Sequence, residues 1–151
     1  MNRTGKMLVL LAIAGAVAAS ASAEGDIATL FTLTPGEMKF VAPPGRPDRP
    51  AAVLIGDPAK AGVYVSRSKL PANLKIAPHS HSEPWRITTV VSGTLYYGHG
   101  DTFDESKLKA LGPGSLLVEP KDVPHFAMTK DEEVMLHTVA EGPAATNPVR
   151  K

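Results

Sequence analysis

The sequence contains no cysteine. Thiolate chemistry, iron–sulfur clusters and stabilising disulfides are therefore excluded together. Charge of either sign is not in excess: 16 Lys plus Arg stand against 15 Asp plus Glu, a formal net charge of +1. No basic run beyond scattered lysines marks a nucleic-acid surface, and a near-neutral domain has no electrostatic pull towards a polyanion. No amphipathic stretch reads as a membrane-surface helix. There is no Gly-rich phosphate loop, and no spacing of serine and histidine that by itself supports a nucleophile–base pair. The βαβ rhythm is missing, as are internal repeats and low-complexity segments in the mature part.

The one long apolar run, Met7 to Val17, is too short to cross a bilayer comfortably. A basic start at Arg3 and Lys6 precedes it. Ala18 to Ala23 follows it and holds only Ala and Ser, with Ala21-Ser22-Ala23 fitting a small-residue cleavage site. Residues 1–23 thus read as a secretory signal peptide, and residues 24–151 as one mature domain that is exported to the periplasm or the exterior. An uncleaved anchor is the competing reading; the short run and the good cleavage pattern weigh against it. Cleavage lowers the Lys plus Arg count from 16 to 14 against 15 acids, so the mature formal charge is about −1. No membrane contact is expected after cleavage.

Fourteen prolines, all beyond the signal, argue against long helices. Short strand signals recur instead: 51–55, 63–70, 74–81, 86–91, 94–99, 115–118, 125–129 and 134–140. Gly, Pro and Asp turn signals separate them at intervals of roughly 8–12 residues. A further short strand is expected over 38–41, a loop over 42–50, and a solvated excursion with one helical turn over 102–110. Residues 119–124 read as a turn and the tail from Glu141 as loosely held. This pattern predicts an all-β sandwich or barrel.

The chemistry concentrates in Pro78-His79-Ser80-His81-Ser82-Glu83-Pro84-Trp85-Arg86. On an extended chain alternate residues share a face, so His79, His81 and Glu83 point the same way. His125 opens a later strand and completes a three-nitrogen set if the two strands meet across a barrel. Imidazoles suit Zn, Fe, Ni or Cu, and added carboxylate favours Mn. His-x-His alone is a weak motif, since histidine is often a surface or hydrogen-bonded core residue. His99 and His137 read as structural or surface residues. Of Tyr96 and Tyr97 only one can face the lumen, and Trp85 is a core or rim residue that could wall a ligand pocket.

Two spacings resemble the motifs of the cupins. The first motif of that family runs Gly, five residues, His-x-His, three or four residues, Glu, six residues, Gly. Here His79-x-His81, four residues, position 86, six residues and Gly93 match its spacing. The second runs Gly, five residues, Pro-x-Gly, two residues, His, three residues, Asn. Gly114, Pro120-x-Asp122, His125 and Thr129 fall in register with it. The resemblance covers about 60–140 and implies a single-domain jelly-roll β-barrel with a divalent transition metal. Carried over residue by residue it gives His79, His81 and His125 as ligands. It does not give the glutamate, because position 86 is Arg, which cannot bind a cation.

Three explanations for Arg86 stand open. Glu83 supplies the carboxylate instead; or the site is a three-histidine one and Arg86 holds an anionic ligand through its fork; or the metal is lost and Arg86 is an ion-pair partner, of Glu83 for example. The resemblance does not choose among oxidoreductase, isomerase and lyase chemistry. The leading expectation is an exported metal-dependent enzyme acting on a small polar or anionic molecule, with Glu83 as ligand or acid/base and Arg86 orienting substrate. The alternatives are a non-catalytic module that binds a metal or small ligand, and a structural barrel with an empty site. A homodimer paired through sheet edges is also plausible on these grounds.

Overall fold

The computed structural model describes residues 27–43 and 45–150. The expected signal peptide, residues 1–23, lies outside them. Among the described residues ten strands form two antiparallel sheets. The strands are β1 (Ala51–Ile55), β2 (Gly62–Leu70), β3 (Lys75–His81), β4 (Trp85–Ser92), β5 (Leu95–His99), β6 (Lys109–Leu111), β7 (Leu116–Pro120), β8 (His125–Met128), β9 (Val134–Gly142) and β10 (Thr146–Pro148). One sheet has the order β1-β2-β9-β4-β7 and the other β10-β3-β8-β5-β6. Most neighbours are distant in sequence, which is how a jelly roll brings remote histidines together. The all-β jelly-roll expectation holds.

Alternation explains which side chains turn inward. In β7 the burial pattern is strictly alternating, with Leu117 and Glu119 inside and Leu116 and Val118 outside. Inward-facing residues change from apolar to polar along several strands. On β2 the series runs from Leu70 to Tyr64, on β4 from Val90 to Arg86, on β7 from Leu117 to Glu119, and on β8 from Ala127 to His125. Because these changes fall at the same end, the interior divides in two. Leu70, Val90, Leu95, Leu117, Ala127 and Val134 form a hydrophobic core. Burying such side chains stabilises the fold by roughly 1.5–3 kcal/mol for each large aliphatic one. A cavity of about 670 Å³ is walled by the polar end and, further in, by Leu70, Leu95, Leu117 and Ala127 of the core.

A bulge in β3 sets the parity of the key histidines. Ile76 pairs with Ala127 and His79 with His125, so three residues of β3 span two of β8. The extra residue lets Ile76 pack on the core while His79 and His81 still face the cavity. Regular alternation from Ile76 would have turned them outward.

Several expectations need correction. The tail is not loose: β9 runs to Gly142, and β10 then pairs with β3, Thr146 opposite His81 and Pro148 opposite His79. Without it β3 would be an exposed edge next to the polar cavity, with unpaired backbone groups. Residues 119 and 120 belong to β7, not to the turn, because Glu119 continues the inward parity of Leu117. Residues 38–41 form no strand; only Val41 makes a bridge, to Ala51, while Pro35–Glu37 is a 3-10 turn. The excursion holds the expected helical turn, a 3-10 turn at Glu105–Lys107, but its end, from Lys109, is strand β6 paired with β5. It carries Phe103 onto Phe126, which is fully buried on the outward face of β8.

Candidate metal centre

His79 and His81 come from the end of β3, and His125 from the start of β8. One ring nitrogen from each lies within 4.8 Å of the others. The ring centroids are 5.0 Å (His79–His81), 4.4 Å (His79–His125) and 5.1 Å (His81–His125) apart. Local backbone fixes two of the tautomers. Nδ1 of His79 is 2.8 Å from the Ala77 carbonyl oxygen, and Nδ1 of His125 is 3.1 Å from that of Val123. A carbonyl only accepts, so each Nδ1 carries the hydrogen and each Nε2 is left with a lone pair. His81 is oriented from behind by the turn after β7, where the Asp122 amide donates to its carbonyl at 2.9 Å.

Electrostatics keep the trio neutral. Burial lowers the pKa of His79 and His125. His81 is pushed down to about 2, first by burial and then by the Arg86 guanidinium. Three neutral imidazoles at close range are donors for a divalent transition metal. Nδ1 of His81 is buried without any hydrogen-bond partner among the described residues, a costly state unless something electrophilic meets the ring. On both counts the residues fit an ion.

Beside the histidines runs a buried charged network. Glu83 has no solvent exposure, and its Oε1 accepts from Tyr64 Oη at 2.9 Å and Arg86 Nη1 at 3.2 Å. Its Oε2 accepts from the Ala145 amide at 3.4 Å. Arg86 Nε forms an ion pair with Glu119 Oε2 at 3.1 Å, without the alignment of a hydrogen bond. Glu119 Oε1 accepts from Tyr97 Oη at 3.1 Å and lies 3.2 Å from His125 Nε2. Tyr97 also stacks on the His125 ring, with centroids 5.3 Å apart. Burial raises the pKa of both tyrosines, Tyr64 to about 12, so each stays a hydrogen-bond donor.

The structure therefore gathers His79, His81 and His125 and places Glu83 outside that group. Glu83 and Arg86 border the same cavity but pair with each other. Two members of the network are missing from the sequence-based set. Tyr64 and Glu119 both carried a signal: each shares parity with core residues, Leu70 and Leu117, and is polar where a core residue is expected. Tyr97 is the tyrosine that faces in, whereas Tyr96 lies under the Lys130 ammonium. His99 is exposed and pairs opposite His125; His137 lies on β9 opposite Arg67. Trp85 donates from its indole nitrogen to Glu141, away from the histidines.

No family profile matches the chain, and no curated protein matches it in sequence. Its fold does have solved counterparts. The polyketide cyclase RemF from Streptomyces resistomycificus superposes with a TM-score of 0.66 at 19% identity, over 82% of this chain and 87% of that one. An RmlC-like cupin protein from Ralstonia eutropha JMP134 gives 0.60 at 17% identity, over 76% and 69%. KdgF from Halomonas sp. gives 0.58 at 16%, over 76% and 96%. This chain has the cupin fold.

The cupin spacing now explains two backbone oddities. The only non-glycine residues with positive φ among those described are Asn73 and Asp122, both at 59°. Position 73 is separated from His79 by five residues, and position 122 follows Pro120 by two; both are glycine positions of the cupin motifs. Asn and Asp are the residues that visit this left-handed region most readily after Gly. Position 86, the cupin glutamate, holds the guanidinium instead, and the carboxylate directly opposite it is Glu119 on β7.

Proposed function

We propose that this protein is an exported, metal-dependent cupin enzyme acting on a small polar or anionic molecule. The convergence of three neutral histidine nitrogens at the polar end of a large cavity carries the proposal. His79, His81 and His125 would hold one divalent ion from among Zn, Fe, Mn, Ni and Cu. Such an ion supplies Lewis-acid polarisation of a substrate oxygen, or redox chemistry if it is a redox metal. The chain's own residues do the rest. Glu83, hydrogen-bonded to Tyr64, is the acid/base group, and Arg86 orients a substrate oxygen with the part of its fork not given to Glu83 and Glu119. Arg46 and Arg49, from the loop between residues 42 and 50, also line the cavity and favour an anionic group at that wall. Pro43 and Ala144 on the same lining add apolar surface.

Elemental analysis of the untagged mature protein beside His125→Ala tests the centre. About one equivalent of one metal, lost in the variant, is expected. No metal in the wild type, and none taken up from Mn, Fe, Co, Ni, Cu or Zn, overturns it. Export is tested on the same sample by mass spectrometry, with Glu24 as the expected first residue.

A second reading is a non-catalytic module that retains a metal or small ligand. It is favoured by the commitment of Arg86 to two internal carboxylates, which leaves less of it for substrate. Tight retention of a co-purifying ligand without turnover would select it.

A further inference from the structure

Glu119 and His125 flank one turn, at the end of β7 and the start of β8. Nδ1 of His125 faces the Val123 carbonyl oxygen and so carries the hydrogen, which leaves a lone pair on Nε2. Glu119 Oε1 lies 3.2 Å from that nitrogen, with no aligned hydrogen bond between them. Two acceptors this close repel each other unless a positive centre meets both. Tyr97 does not fill that need, since its hydroxyl donates to Oε1 from another side.

The gap has the size of a shared ion. Two donors each bound at about 2.1 Å stand roughly 3.0–3.4 Å apart in tetrahedral or octahedral arrangements. The rest of Glu119 is built for holding one oxygen still. Its Oε2 lies 3.1 Å from Arg86 Nε, and its side chain is 8% exposed. Arg86 thus secures one carboxylate oxygen while the other is turned towards the histidines, an outer-shell arrangement that orients a ligand. Glu83 has no such position: its ion-pair partner is Arg86 and not a histidine, and its oxygens accept from Tyr64, Arg86 and the Ala145 amide. Glu119 currently touches His125 and not the other two histidines, but a carboxylate turns easily about its terminal bond.

We infer that Glu119, and not Glu83, is the carboxylate ligand of the three-histidine centre, delivered from β7 and anchored by Arg86 on β4. The carboxylate and the cupin pattern's strand have parted company: the arginine stands at the pattern's position, and the acid stands across the sheet from it. This inference rests on the metal reading above.

The test is a titration of metal-stripped full-length mature protein with Co(II), followed by calorimetry and visible absorption. Glu119→Gln is expected to weaken binding at least about tenfold and to change the ligand-field bands. Glu119→Asp, which keeps the carboxylate and the fold, is expected to recover part of the affinity. Glu83→Gln, equally buried and paired to the same arginine, is expected to stay within about twofold of wild type. Wild-type affinity and spectrum in Glu119→Gln overturn the inference alone, as does loss of binding in Glu83→Gln with Glu119→Gln unaffected. Failure of the wild type itself to bind Co(II) overturns the metal reading and this inference with it.

Discussion

Arg86 and Glu119 face each other across β4 and β7 in direct register, with Nε 3.1 Å from Oε2. On the other side the same guanidinium reaches Glu83 through Nη1 at 3.2 Å. One cation therefore serves two carboxylates, one fully buried and one nearly so. The arrangement is high-stakes, since each carboxylate depends on a partner it shares.

Removing the guanidinium leaves two buried carboxylates without the cation they share. Arg86→Met is expected to destabilise the metal-free protein by about 3–5 kcal/mol, the usual cost of breaking a buried pair from one side. Arg86→Met combined with Glu83→Gln should recover part of that loss. Urea denaturation monitored by tryptophan fluorescence measures both; a single variant as stable as wild type would show that water already screens the network.

Stability should depend on pH through the histidines. Burial depresses the pKa of His79, His81, His125 and His137 in the folded chain, so below about pH 6.5 the unfolded chain binds protons that the folded one refuses. Their contribution is fully present above the unfolded pKa and is lost as pH falls towards the folded values. His81, held down at about 2, alone costs about 1.4 kcal/mol per pH unit across that window, or roughly 2 kcal/mol at pH 5. Thermal melts of the metal-free protein from pH 8 to 5 are expected to fall steadily below 6.5, and His81→Gln should flatten the slope. A flat wild-type profile contradicts neutral buried histidines.

Asp122 pays a conformational penalty at φ 59°, where glycine pays none. Asp122→Gly is expected to be neutral or to stabilise by up to about 1 kcal/mol. Asp122→Val should destabilise by more than that, because a β-branched residue resists the left-handed region. It should also weaken metal binding, since this turn holds the His81 carbonyl and presents His125. Equal melting temperatures for the valine and glycine variants would refute a role for turn geometry.

The homodimer proposal has a surface to test. Ile87, Val91, Leu116 and Val118 are exposed on the outward face of β4 and β7, with Ile87 directly opposite Val118. β7 is also an edge strand. Light scattering is expected to give a dimer for the wild type and a monomer for Leu116→Lys with Val118→Lys. A monomeric wild type at high micromolar concentration removes the proposal.

Much of this was legible in the sequence because the signals were local. Period-two alternation and Gly/Pro punctuation placed β1 and β2 within a residue of their observed limits, and His79, His81 and His125 were marked by spacing. Composition settled the absence of thiolate chemistry. What the chain alone could not decide were relations between strands. The β3 bulge, which keeps both histidines inward, depends on how β3 registers with β8. The capture of the tail as β10 depends on β3 having an open edge. The partnership of Arg86 with Glu119 joins residues 33 positions apart, and it exists only because β4 and β7 are hydrogen-bonded in that register. Side-chain chemistry is written one residue at a time, whereas a buried charge is acceptable only beside its partner, and which residues become neighbours is settled when the sheets close.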